Sequence, residues 1–230
     1  MIKSNKKAIC LFGLIRGNEK SWRCLFKFIK ENQLDVYAHF WVPNYVVKTW
    51  HKSSEKNIHL NFLKYAKKNN IIFKKLLIES QDENASFEER YKFHKNQYFM
   101  WNSIVKSKDL VEKWQYKYIF FTRTDLEIRK NIIIKNEFME DKFELLHSGH
   151  IRDNKIECED LFFALRTNKL DILNEIQNKT IEGYYFENGI RNPLLLELKS
   201  DFYRLFEYNN NIFIKRNKNY ISKLRERFFE

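Results

Sequence analysis

Apolar and polar positions along this chain follow two periods in turn, one extended and one helical. Lys7–Phe12 is a short apolar run, the pattern of a strand buried on both faces as in a parallel sheet. Gly13–Gly17 follows as a turn. Trp22, Leu25, Phe26 and Ile29 then recur at helical spacing with charges between them, which predicts a helix over Ser21–Lys30. Leu34–Trp41 reads as a second strand, with Asp35 at its boundary. Strand, turn, helix and strand open a βαβ unit.

The pattern continues beyond an irregular, aromatic loop over Pro43–Lys56. A helix is predicted over Asn57–Asn69, a strand over Ile71–Ile78 and a polar, acidic connection over Glu79–Glu89. Phe87–Lys113 fits one long or broken helix, with Tyr91, His94, Tyr98, Trp101, Ile104 and Val105 near one face. Tyr116–Phe121 is the clearest strand, and it runs directly into Arg123-Thr124-Asp125-Leu126-Glu127. Phe143–Ser148 reads as a strand, and Cys158–Leu165 is an apolar segment behind acidic residues. A helix over Lys169–Gln177 and a loop over Ile181–Arg191 follow. A helix over Pro193–Phe206 and a short strand over Asn211–Lys215 complete the series. Alternating strands and helices imply an α/β fold: one layered, mostly parallel sheet with helices on both faces and ligands at the carboxyl ends of its strands.

Composition narrows this. At 230 residues the default is a single domain, 1–230, and 43% hydrophobic with 17% aromatic residues excludes a disordered chain. Cys10, Cys24 and Cys158 are widely spaced and read as small buried hydrophobes in a reducing compartment, not as a disulfide framework or zinc site. Met1–Arg16 resembles a signal peptide in outline, but Arg16 ends the apolar run and no small-residue cleavage site follows. No stretch approaches the roughly 18–20 apolar residues of a membrane helix. The expectation is a soluble, cytoplasmic protein. A formal charge of +12 favours anionic partners without choosing among nucleotides, acidic glycans, nucleic acid and a membrane surface.

Three segments carry candidate chemistry. In Gly13-Leu14-Ile15-Arg16-Gly17 the glycines let backbone approach a ligand and Arg16 suits a phosphate, helped by amides of the helix starting near Ser21. An ordinary strand–helix turn is the plain alternative. In Arg123-Thr124-Asp125-Leu126-Glu127, Asp125 and Glu127 fall on one side of an extended segment. They suit a divalent cation, Mn2+ or Mg2+, that bridges the phosphates of a sugar nucleotide, while Arg123 holds a phosphate or Asp125. In Glu157-Cys158-Glu159-Asp160, the cluster is either a solubilising helix start or a place where Glu159 or Asp160 meets an acceptor hydroxyl. The six histidines show no metal-binding spacing, and His147 and His150 read as structural or exposed. Lys215–Phe229 is basic with interleaved apolar residues; it reads as a solvated tail over 215–230, a surface for anionic lipid, or a patch for nucleic acid or acidic glycan.

Taken together, the ordered segments resemble a family of small bacterial glycosyltransferases found among capsule and lipopolysaccharide genes. The residues that carry the likeness are Ala8-Ile9-Cys10-Leu11-Phe12-Gly13-Leu14-Ile15-Arg16, Asp35-Val36-Tyr37-Ala38-His39-Phe40-Trp41, Gln97-Tyr98, Arg123-Thr124-Asp125-Leu126 and Asp160-Leu161-Phe162-Phe163. They span roughly residues 7–165. The resemblance implies a GT-A-like fold, a nucleotide-sugar donor and a surface glycan or lipid-linked oligosaccharide as acceptor. The basic stretch Lys215–Phe229 adds the expectation of peripheral contact with anionic lipid at the inner membrane face, near a lipid-linked acceptor, and no specific nucleic acid is expected. By the same comparison Arg16, Arg123, Asp125 and Asp160 are the site residues, with His39 and Gln97 lining the same edge; read from the residues, the Gly13–Gly17 backbone joins Arg16 in holding the donor and Asp160 or Glu159 acts on the acceptor in catalysis. Ile15 stands where the family often has Pro, and Asp125/Glu127 replaces the Asp-x-Asp of better-known members. A non-catalytic, basic binding module for nucleic acid or acidic glycan is the rival reading.

Overall fold

The computed structural model describes residues 6–43, 57–81, 95–128, 133–134, 145–152, 155–187, 193–198, 202–207 and 212–214. In chain order the elements are β1 (Lys7–Leu14), α1 (Glu19–Glu31), β2 (Leu34–Pro43), α2 (Ile58–Lys68), β3 (Phe73–Gln81), α3 (Lys95–Asp109), β4 (Tyr118–Thr122) and β5 (Leu126–Ile128). They continue as β6 (Leu145–Arg152), β7 (Lys155–Arg166), α4 (Ile172–Ile181), α5 (Tyr184–Glu187), α6 (Pro193–Leu198), β8 (Phe202–Glu207) and β9 (Ile212–Ile214). Seven strands form one sheet in the order β3-β2-β1-β4-β7-β6-β8, and β5 pairs with β9 as a separate ribbon. Only β7 runs against the rest: it is antiparallel to β4 and β6, while the pairs β1–β2, β1–β4, β2–β3 and β6–β8 are parallel. The fold is α/β with a mostly parallel sheet, as the periodicity predicts.

Period-two geometry sorts the central strands into two cores. From β1, Ile9 and Leu11 join Phe120 and Phe162 beneath α1 and α2, while Ala8, Cys10 and Phe12 join Phe121 and Phe163 beneath α3 and α4. Trp22, Leu25, Phe26 and Ile29 form the buried face of α1, and Trp22 meets Phe62 of α2 edge-on at 5.3 Å. On the other face Phe121 and Phe163 stack at 4.9 Å. Removing a Phe side chain of this kind from water stabilises the fold by about 2 kcal/mol. Helices therefore cover both faces.

Several expected boundaries change. The first helix starts at Glu19, because Asn18 caps it: its side chain accepts from the amides of Lys20 and Ser21, and Ser21 Oγ accepts from the Asn18 amide. The predicted helix over Pro193–Phe206 divides into the short α6 and strand β8, which pairs with β6 along Leu145–Phe202 and Leu146–Tyr203. Cys158–Leu165 lies within β7, so the acidic cluster is not a helix start. Leu126–Ile128 becomes a strand only because β9 arrives from far along the chain. The loop at 44–56, the connection at 82–94, Gly189 and the basic tail at 215–230 lie outside the described residues.

Candidate functional site

In the sheet order β3-β2-β1-β4, the chain steps outward from β1 through β2 and β3 and then returns to place β4 on the other flank of β1. The strand order reverses between β1 and β4. Loops leaving the carboxyl ends of two such strands diverge to opposite sides and leave a crevice where α/β proteins bind ligands. The Gly13–Gly17 turn leaves β1 at this place, and Arg123-Thr124-Asp125 leaves β4.

The two segments are joined. The Arg16 amide donates to Thr124 Oγ1 at 2.9 Å, and Thr124 Oγ1 donates back to the Arg16 carbonyl at 3.1 Å. Trp22 Nε1 of α1 donates to the same carbonyl at 2.8 Å. Gly17 has φ +91°, and a β-carbon there would stand 2.4 Å from Ser21 Oγ and 3.1 Å from the Asp125 Cα. Glycine is required both for the left-handed backbone and for the close approach to the Thr124–Asp125 segment that follows β4. Gly13, at φ +87°, has open space about its α-carbon, and its amide donates to Ser103 Oγ of α3 at 2.7 Å.

Asp125 is buried, and Arg123 grips its carboxylate through both Nε, at 3.0 Å, and Nη2. Burial alone would raise this carboxyl group. The charges of Arg123 and then Arg16 outweigh that and hold it below the ordinary carboxylate range. Arg16, Arg123 and Asp125 thus share one electrostatic centre at the switch point. Glu127, two residues on, is also buried but pairs with Lys20 of α1 at 2.9 Å. Each carboxylate therefore has a cation of this chain as its partner, and among the described residues no three His, Cys, Asp or Glu side chains stand together to hold a metal ion.

Other expected residues fall in different roles. His39 is fully buried, with Nδ1 at 2.7 Å from Ser103 Oγ and Nε2 at 2.7 Å from Glu79 Oε2. Lys106 of α3 completes the cluster on Glu79. Both ring nitrogens are engaged within the protein, so His39 supports the Gly13 turn through Ser103 and does not face a ligand. Desolvation lowers its pKa more than Glu79 raises it. Gln97 is exposed on the first turns of α3, two residues before Phe99, whose carbonyl accepts Trp41 Nε1 at 3.0 Å. The α1 amides expected to meet phosphate are those of Lys20 and Ser21, and the Asn18 side chain already uses them. Glu159 and Asp160 precede Phe162, which pairs with Thr122; antiparallel β7 carries their backbone past the carboxyl end of β4. Cys10 is buried and Cys24 half-buried.

Sequence reasoning overlooked Thr124, Ser103 and Glu79. A signal for Ser103 exists, since it stands on the apolar stripe of α3 beside Ile104, where a hydroxyl needs a partner.

No family model and no curated protein matches this sequence. Among solved structures the chain is similar to a glycosyltransferase involved in the glycosylation of the major capsid of PBCV-1. The two share 8% identity with a TM-score of 0.48, over 86% of this chain and 80% of that one.

Proposed function

We propose that this protein is a glycosyltransferase that moves a sugar from a nucleoside-diphosphate sugar to a hydroxyl of a surface glycan or lipid-linked oligosaccharide. One observation carries the reading: Arg16, Arg123 and Asp125 meet at the switch point between β1 and β4, on two loops tied by the Arg16–Thr124 hydrogen bonds. A compact pair of guanidinium groups beside a carboxylate matches the two ends of a nucleotide diphosphate. Arg16 and Arg123 offer charge-assisted donors to the phosphates. Asp125 retains lone pairs beyond those Arg123 uses, and these accept from ribose hydroxyls.

In this proposal the charge that develops on the departing diphosphate is met by arginine, with donors already in place before reaction. Asp160 or Glu159 takes the proton of the acceptor hydroxyl, from the strand that passes the carboxyl end of β4. The hydroxyl oxygen then attacks the anomeric carbon as its bond to the diphosphate breaks. No helix among the described residues is long and apolar enough to cross a membrane. A lipid-linked acceptor would be met at a membrane surface.

The test is a thermal-shift screen of uridine, guanosine and cytidine sugar nucleotides, with and without manganese. One donor class should stabilise the wild type with no requirement for manganese, and Asp125→Asn should abolish that shift. No shift with any donor, or equal shifts in the Asp125 variant, defeats the proposal.

A further inference from the structure

The outer side of α1 and α2 carries charge in a regular pattern that the switch-point site does not use. Each helix links two adjacent parallel strands, so the two run side by side against the strand direction, on one face of the sheet. Trp22 and Phe26 of α1 meet Phe62 and Tyr65 of α2 at ring distances between 5.3 and 5.9 Å and fix that contact. At 3.6 residues per turn, Lys20, Arg23, Lys27 and Lys30 follow one another down the exposed side of α1, opposite its buried aromatic face. On α2, Leu60, Lys64, Lys67 and Lys68 are exposed opposite Ile58, Phe62 and Ala66.

Some of these cations already have partners. Lys20 is held by Glu127 at 2.9 Å and Lys27 by Glu31 at 3.6 Å. Arg23, Lys30, Lys64, Lys67 and Lys68 make no side-chain hydrogen bond or ion pair among the described residues. Lys30, Lys67 and Lys68 stand in the last turns of their helices, where the helix dipole alone favours a cation. Arg23 and Lys64 stand earlier, where it does not. Arg23 and Lys30 are about 10 Å apart along α1, and packed helices lie about 8–10 Å apart, so these free cations share one compact surface.

We propose that this face docks on an anionic membrane, the phosphate-bearing headgroup surface of a bilayer. Its free cations are mostly lysines, compact charges on flexible stems that suit a diffuse layer of phosphates better than a fixed bidentate partner. Leu60, 55% exposed on the same side of α2 as Lys64, offers an apolar side chain to the headgroup boundary. Nucleic acid fits less well. The aromatic rings of both helices turn inward, Tyr65 stacking on Phe26, so the face offers bases nothing to stack on. α1 begins directly after the Gly17 turn, so a docked face holds the switch point beside the membrane. That position serves a lipid-linked acceptor, yet the docking itself does not rest on the transfer reading.

Full-length protein is sedimented with vesicles of phosphatidylcholine, alone or mixed three to one with phosphatidylglycerol, at physiological ionic strength and without donor. It should bind the mixed vesicles and not the neutral ones, and added salt should release it. Each basic residue close to an anionic leaflet contributes roughly five-fold to partitioning, so Lys64→Gln with Lys68→Gln should weaken binding about twenty-fold. Arginine at the same two positions should keep it. Lys75→Gln with Lys113→Gln removes equal charge from the α3 side of the sheet and should cost less than about two-fold. Lys64 and Lys68 are exposed, so their variant should keep the wild-type circular dichroism. The basic tail at 215–230 is unchanged throughout, so a difference between the variants reports on the α1–α2 face. Equal binding to neutral vesicles, unchanged binding in the Lys64/Lys68 variant, or an equal loss in both variants overturns the proposal. A DNA duplex that displaces the protein from mixed vesicles at equal phosphate concentration overturns it too. Asp125→Asn should bind the vesicles as the wild type does, whatever the donor screen shows.

Discussion

Two polar clusters hold the turn after β1, and they do so in opposite ways. On the β4 side Thr124 bonds both amide and carbonyl of Arg16, next to the charged Arg123–Asp125 pair. On the α3 side Ser103 accepts from Gly13 and meets His39, which leads to Glu79 on the sheet's outer strand and Lys106 of α3. The first cluster keeps a buried carboxylate ionised by surrounding it with arginine. The second lowers the pKa of a buried imidazole, chiefly by desolvation. One presents charge at the switch point; the other fixes backbone. The difference separates a cluster that concentrates charge from one that fixes backbone, although the sequence motifs containing them look equally promising.

The largest test of this contrast is Asp125→Ala. It leaves Arg123 beside a vacated, buried position and should cost about 3 kcal/mol in urea unfolding, the lower end for breaking a buried ion pair. Donor-induced stabilisation should vanish with it. Gly17→Ala comes next. With φ +91° and a β-carbon forced against Ser21 and the Asp125 backbone, it should cost about 2 kcal/mol and displace Arg16 from Thr124. Failure to destabilise would show that the two loops are not packed as described.

A pair of smaller substitutions separates the clusters directly. Thr124→Val and Ser103→Ala should each cost about 1.5 kcal/mol, since each strands buried backbone or ring groups. Thr124→Val should raise the KM for the donor more than it lowers kcat, because it loosens the Arg16 turn. The Ser103 variant should show its main effect in stability.

The smallest effects are in the pH dependence, where the two clusters act in different windows. His39 has its pKa lowered from 6.5, so the unfolded chain takes up its proton first and stability falls as pH drops below 6.5. His39→Asn should flatten that slope. Asp125 has its pKa lowered from 3.8, so its contribution is complete above 3.8 and disappears as pH falls through the lower folded value. Asp125→Asn should remove only that more acidic loss. A loss of the slope below 6.5 in the Asp125 variant would contradict the assignment.

Much of the site was legible in the chain because its chemistry lies where apolar runs end. Lys7–Phe12 and Tyr116–Phe121 announce buried strands, and the polar residues after each had to stand at their carboxyl ends. That reasoning put Arg16, Arg123 and Asp125 together. It gave no partner for His39 or Glu127, because two-residue periodicity states which side of a strand a residue faces and says nothing about its partner. Ser103 and Lys20 supply those partners from helices distant in sequence or across a turn.

The sequence by itself determined the α/β class, most elements up to β4, and the two-sided burial of the central strands. These follow from local periodicity and from the need to bury runs such as Tyr118–Thr122 on both faces. Tertiary structure alone decided that β7 runs against its neighbours, that Phe202–Glu207 is a strand and not a helix, and that the carboxylates of Asp125 and Glu127 serve separate cations. Strand pairing and charge pairing join residues far apart in the chain, so their free energy depends on which partners the fold brings within reach. No local pattern contains that information.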